Sequence, residues 1–264
     1  MPARLTMPAR LDRELSMYFN QGSFDIRCEW GMEGLQELLP DSRAVVIVDV
    51  LSFTTSVEIA AANGARVYPY RSRDHSAAAY ARSRNALMAN ATREFERGGY
   101  SLSPSSLMDI PAGTALVLPS PNGSTLSLTT GDTPTFAGCL RNATALAGVL
   151  RQYETGISII PAGERWKQQQ TLRPAIEDLI GAGAVIHALE GTRSPEAETA
   201  AAVFAAFRDD LASVLCTSGS GKELIGRGFA EDVRLAAALD ASECVPMLKD
   251  GAYRACHAPG SVDA

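Results

Sequence analysis

The sequence predicts an α/β fold: a mostly parallel β-sheet flanked by helices on both faces, with a helix-rich C-terminal part. Three observations carry this. Short, near-continuous apolar runs such as AVVIV at 44–48 and ALVL at 115–118 read as strands covered on both faces. These runs alternate with Ala-rich segments of helical propensity. From about residue 165 onward strand signals thin out and helical ones dominate.

In chain order, SFDIRCEW at 23–30 reads as a first strand, and GMEGLQELL at 31–39 as a short helix stopped by Pro40. AVVIVDVL at 44–51 is a buried strand. SVEIAAANGA is a helix that stops at Asn63-Gly64. RVYPY at 66–70 is a strand, 74–97 a mostly helical Ala- and Arg-rich stretch, and 98–107 a loop. TALVLPS at 114–120 is a strand, followed by the turn NGSTLSLTT leading into a helix. PTFAGCL at 134–140 is a strand, and 142–153 a helix with Asn142 in its N-cap position. ISIIPAG at 157–163 is a strand, and 173–189 a helix with Pro174 in its first turn. A helix at 195–211, one or two more over 218–239 and a short final strand, CVPML at 244–248, complete the reading. The boundaries expected are an N-terminal extension over 1–22, one α/β domain over 23–255 and a tail over 256–264.

Composition narrows the function class. Of 264 residues, 46% are hydrophobic, which suits a packed globular chain. The net charge of −6 and scattered Lys and Arg argue against a nucleic-acid surface, which needs a clustered basic face. No run approaches the roughly 20 apolar residues of a membrane span. The start, MPARLTMPARLDRELSMYF, lacks the apolar core of a secretory signal. Five cysteines without a CxxC read as reduced thiols, so the expected location is cytoplasmic. The oligomeric state stays open, a homodimer included.

Two strand ends finish in polar residues: VDVLSFTTS at 48–56 and PSPNGST at 119–125. Ligands of open α/β sheets sit beyond such carboxyl ends. Asp49 interrupts an apolar strand, where a carboxylate is costly unless hydrogen-bonded, paired or metal-bound. Magnesium, often held by one or two carboxylates plus phosphate oxygens, is one ion Asp49 could take, and Glu177 and Asp178 sit in the helix after Pro174. Adjacent helical residues diverge by about 100°, so one of those two is expected to face the site and the other solvent. Ser52, Thr54, Thr55 and Ser56 present hydroxyls where a helix begins, a setting for either anion binding or plain capping. Gly123, Ser124 and Thr125 occupy the second such turn, and Arg141-Asn142 follows the strand TFAGCL. Glu164-Arg165-Trp166 follows ISIIPAG and could lie on the same rim. Asp49, Asn122 and Glu177 are the expected catalytic residues; the others named here would hold an anionic substrate.

Familiar motifs are missing. In Ser218-Gly219-Ser220-Gly221-Lys222, Cys216 stands where a phosphate-binding P-loop needs its first Gly, and Glu223 where it needs Ser or Thr. His75, His187 and His257 have no zinc spacing, and no GxSxG elbow occurs.

Taken in order, VIVDVLSFTTSVEIAAANGA, LPSPNGSTLS, AGCLRNATA, IPAGERW, LRPAIEDLIGAGAVI and SGSGKELIGRGFAEDV closely resemble the 2-phosphosulfolactate phosphatase family, from about residue 23 to 253. The resemblance implies an α/β, Mg²⁺-dependent phosphohydrolase that releases phosphate from 2-phospho-3-sulfolactate on the route to coenzyme M. Asp49 matches the Asp of the family's DVLRATS segment, Asn122 and Gly123 its TNGT turn. Asn142 matches the Asn opening the next helix, and Glu177-Asp178 the Glu-Asp of a later one. Three segments depart from the pattern. Ser52 replaces the DVLRATS arginine, Asn90-Ala91-Thr92 fall where the family has GER, and Ser103-Pro104-Ser105-Ser106 where it has GNSP. Arg141, Arg165 and Arg173 are candidates to replace the lost positive charge. Two other readings stay open: a small-anion binder without turnover, and a hydrolase of another ester.

Overall fold

The structure is a computed structural model that describes residues 18–72, 76–90 and 99–256. Eleven strands are present among these residues: β1 Ile26–Cys28, β2 Ala44–Val48, β3 Arg66–Tyr70, β4 Leu87–Met88, β5 Ala115–Pro119, β6 Thr135–Gly138, β7 Ile157–Pro161, β8 Glu164–Arg165, β9 Leu172–Arg173, β10 Val245–Lys249 and β11 Ala252–Cys256. Nine form one mostly parallel sheet of order β1-β7-β2-β6-β10-β11-β3-β5-β4; β8 and β9 make a separate hairpin. The helices are α1 Gly31–Leu38, α2 Phe53–Ala62, α3 Ser76–Ser83, α4 Gly123–Ser127, α5 Ala143–Leu150, α6 Ile176–His187, α7 Pro195–Phe207, α8 Leu211–Thr217, α9 Gly219–Gly226 and α10 Ala230–Ala236.

Alternation along each strand explains the layering. On β2, Ala44, Val46 and Val48 face a core shared with α5, α6 and α7, while Val45 and Ile47 face α1. On the other half of the sheet, Val67, Leu116 and Leu118 pack with Phe53 and Val57 of α2. Tyr68 and Val117 point the opposite way, to Ala81 of α3. Helices thus cover both faces, and the five helices from α6 onward make the C-terminal part helix-rich.

The β10–β11 hairpin sits in the middle of the sheet, antiparallel to β6 on one side and to β3 on the other. The two parallel halves therefore run in opposite senses. Twist of about 20–25° per step over the five steps from β2 to β5 offsets much of that reversal. The carboxyl ends of β2 and β5 meet as a result: Gly123 N–H donates to the Asp49 carboxylate at 2.9 Å.

Several sequence expectations change here. The final strand is half of a hairpin, since β11 follows β10, and β4, β8 and β9 are further strands. The helix expected over 74–97 is α3 and then β4; residues 73–75 and 91–98 lie outside the described residues, as do 1–17 and 257–264. Of the expected N-terminal extension, Asn20 and Gln21 are tied to the fold: the Gln21 side chain bonds both the C=O and N–H of Cys28, and Asn20 bonds Asp41 at 3.1 Å. Pro174 precedes the helix, because α6 starts at Ile176 with Ala175 as N-cap. The stop at Asn63-Gly64 is present as a double-bonded cap, with Gly64 at φ +80°, Gly64 N–H to Ala61 C=O and Ala65 N–H to Ala60 C=O. All five cysteines are free thiols.

Candidate active site

Asp49 follows the last residue of β2 and is nearly buried, at 6% exposure. One carboxylate oxygen accepts from Phe53 N–H at 3.2 Å, in the first turn of α2. The other accepts from Gly123 N–H at 2.9 Å, at the start of α4. The carboxylate thus joins the beginnings of two helices, each favourable for negative charge. A side chain at position 123 has no room: its Cβ would lie 2.2 Å from the Phe53 ring and 2.8 Å from the Asp49 carboxylate. Only glycine lets the two chain segments approach this closely.

Asp178, in the first turn of α6, is a second junction. Its oxygens accept from Val50 N–H at 2.7 Å and Gly163 N–H at 2.9 Å, joining α6 to the ends of β2 and β7. Burial raises its pKa well above the ordinary carboxylate value, and the nearby charges of Asp49 and Glu177 add to this. Glu177 is equally buried, with one carboxylate oxygen out of contact with solvent and without a hydrogen-bond partner. The expectation that one of this pair faces solvent is therefore overturned.

Glu164 completes the acidic group. Its carboxylate accepts from Asn122 Nδ2 at 3.1 Å. Burial first, then the Asp49 charge, push its pKa up to about 7. A cavity of about 260 Å³ opens over Asp49, with Ser52, Ser120, Asn122 and Glu164 in its wall. Arg165, Lys167 and Arg227 also line it, as does Glu223, which lies 3.7 Å from Lys167 Nζ and 3.9 Å from Arg227 Nη1. Arg173 stands close by, bonded to Ser220 Oγ of the same wall at 2.8 Å.

The structure thus brings Asp49, Ser52 and Asn122 to one cavity, places Gly123 directly against Asp49, and sets Glu177 and Asp178 within electrostatic reach of it. It does not bring the remaining hydroxyls. Thr54, Thr55, Ser56 and Ser124 are fully buried and donate to the carbonyls of Asp49, Val50, Leu102 and Leu118. Their sequence position suits anion binding and backbone bonding alike, and they bond backbone. Thr125 lines a neighbouring cavity. Arg141 is held by Glu58 at 2.6 Å and by the Leu235 carbonyl. Asn142 does occupy the N-cap position of α5, but its side chain makes no cap bond. It accepts from Cys139 N–H and donates to the carbonyls of Ala137 and Cys244, fixing the β6 exit. Lys167 had no distinguishing signal in the sequence, while Ser220 and Arg227 lie in the segment SGSGKELIGRGFAEDV, which stood out there without a role for either. Ser218 of the glycine-rich segment caps α9, accepting from Gly221 N–H at 3.0 Å.

The donor set suits magnesium. Asp49 faces the cavity, and the unpartnered buried oxygen of Glu177 lies in the same electrostatic group, where a cation would relieve the repulsion among four carboxylates. Among the described residues no three Asp, Glu, His or Cys side chains converge as a closed metal site does. Magnesium needs only one or two carboxylates, with water and phosphate oxygens filling the rest.

The chain is similar to known proteins. A family model described as "2-phosphosulpholactate phosphatase" matches residues 33–251. A relative from Carboxydothermus hydrogenoformans, named "Probable 2-phosphosulfolactate phosphatase", is 30% identical over 216 residues, 78% of this chain and 86% of its own. One of the same name from Gloeobacter violaceus is 29% identical, over 80% of this chain and 91% of its own. The "2-phosphosulfolactate phosphatase" of Methanothermobacter thermautotrophicus is 30% identical over 162 residues, 59% of this chain and 68% of its own. With the family model spanning most of its length, the chain belongs to the 2-phosphosulfolactate phosphatase family.

Proposed function

We propose that the chain is a Mg²⁺-dependent phosphatase acting on a small anionic phosphate monoester, with 2-phosphosulfolactate as substrate and sulfolactate and phosphate as products. The observation that supports this best is the Asp49 cavity, where a carboxylate set at two helix starts shares the wall with Arg165, and with Lys167 and Arg227 beside their partner Glu223. The relatives' names supply the substrate.

Asp49 and Glu177 are the residues that would hold Mg²⁺, which supplies positive charge at the phosphoryl group. Asn122 Nδ2, the Ser52 and Ser120 hydroxyls and the three cations bind and orient the anion. Phosphoryl transfer depends mostly on such positioning and charge. Burial, which holds the Glu164 pKa above the ordinary carboxylate value, suits it to act as general acid. A water oxygen bonds to phosphorus, the ester P–O bond breaks, and the Glu164 proton goes to the leaving alkoxide. Asp178 positions the β2 and β7 ends through backbone.

Phosphate release from 2-phosphosulfolactate and a set of other phosphate monoesters tests the reading. Release from 2-phosphosulfolactate is the expected result. Tight phosphate binding without release from any ester would instead make the chain a small-anion binder.

A further inference from the structure

The wall of the Asp49 cavity carries as many anions as cations: Asp49, Glu164 and Glu223 line it together with Arg165, Lys167 and Arg227. Asp49 and Glu164 accept hydrogen bonds within the floor, from Gly123 N–H and Asn122 Nδ2. Glu223 is placed differently. It stands on α9, and its Oε1 lies 3.7 Å from Lys167 Nζ, just past β8, and 3.9 Å from Arg227 Nη1, one helical turn on. A single carboxylate oxygen thus takes the place between two cations that an oxygen of a bound anion would take. Both pairs are long, and all three side chains are at least half exposed. Exposed pairs of this kind shift an equilibrium by about fivefold at most. They are weak enough for a dianion to break and strong enough to compete with one.

We propose that Glu223 is a built-in competitor for the anion site: it holds Lys167 and Arg227 in the free chain and gives them up when a phosphate group enters. A dianion gains more from two cations than one carboxylate does, so the exchange favours doubly charged phosphate. The returning Glu223 weakens the hold on the phosphate released, and the residue sets how tightly substrate and product are bound. This rests on the anion-binding part of the phosphatase reading above.

The test is calorimetric titration of the full chain with inorganic phosphate in the presence of Mg²⁺, for wild type and Glu223→Gln. The variant should bind phosphate about fivefold more tightly, and its KM for 2-phosphosulfolactate should fall by a similar factor. Raising NaCl from about 0.05 to about 0.5 M should shrink the gain, because exposed charges are screened. In a Lys167→Met, Arg227→Met background, Glu223→Gln should lose most of its gain, since no held cations remain to be released. Glu231→Gln removes the same charge from a residue paired with Arg234 outside the cavity wall, and should leave phosphate binding unchanged. Unchanged or weaker phosphate binding by a Glu223→Gln chain whose circular dichroism and melting match wild type overturns the proposal. So does a gain that is undiminished in the double background or reproduced by Glu231→Gln. Phosphate release from no ester, with the fivefold gain present, strikes the phosphatase reading alone.

Discussion

Gly123→Ala probes how closely the two halves of the sheet are held at the site. The new methyl would stand 2.2 Å from Phe53 and 2.8 Å from the Asp49 carboxylate, so one of the two must move. Phe53 has little freedom. It is fully buried, edge-on to Tyr253 with ring centroids 6.2 Å apart, and the Tyr253 hydroxyl is bonded to Ser127 at 2.7 Å. Overpacking of this kind costs about 1–3 kcal/mol. If α4 withdraws instead, the Gly123 N–H bond to a carboxylate is lost, worth about 1.5–3 kcal/mol. Since relief of one term worsens the other, the expected loss of stability is about 2–4 kcal/mol. Urea unfolding at constant m-value reads it directly. A displacement of Asp49 approaching 1 Å should also lower kcat/KM for phosphate release about a hundredfold. A variant within about 0.5 kcal/mol of wild-type stability, which is the range of an ordinary surface change, and with unchanged kcat/KM would refute the reasoning.

Further outcomes at three residues follow from the same geometry. Glu164 has an ordinary value of 4.5 and a folded value near 7, so the unfolded chain releases its proton first as pH rises. Its stabilising contribution is complete below about pH 4.5 and lost as pH climbs through 7; Glu164→Gln should gain on wild type across that window, and parallel stability–pH curves would contradict this. As the proton donor, Glu164 also predicts a basic limb in kcat/KM, with Glu164→Gln slower by about a hundredfold or more and lacking that limb. Asp178→Ala leaves Val50 and Gly163 N–H buried without acceptors, costing about 1–3 kcal/mol each in urea unfolding; a total loss under 1 kcal/mol would show these bonds to be unimportant. Arg141→Met strands the fully buried Glu58, so stability should fall by about 3–5 kcal/mol with KM unchanged in the folded fraction; a raised KM at intact stability would instead return Arg141 to the substrate.

The parts of the fold carried by local pattern were legible in the sequence. AVVIV and ALVL have the composition of doubly covered strands, and Asn63-Gly64 carries its own stop signal. The position of β10–β11 was not legible. Nothing local in VPMLK or AYRAC says that the hairpin will enter mid-sheet between β6 and β3, because that is decided by long-range pairing. The two-residue strand Leu87–Met88 is too short for any periodicity. At the site, Asp49 and Asn122 stood out as polar residues at strand ends. Thr54, Thr55 and Ser56 stood out equally, because a hydroxyl beside a helix start looks the same whether it serves a ligand or a backbone carbonyl. Glu164 could be placed only on the rim. Its central position depends on the β7–β8 turn meeting the β5–α4 turn, a contact between residues 42 apart.

The central claim is that Asp49 anchors a metal-assisted phosphatase site. Its most direct test is phosphate release from 2-phosphosulfolactate, with Mg²⁺ and with EDTA, by wild type and by Asp49→Asn. The account predicts Mg²⁺-dependent release in wild type and a loss of about a hundred- to a thousandfold in the variant while it stays folded. Wild-type release indifferent to EDTA, or an Asp49→Asn chain as active as wild type, would contradict it.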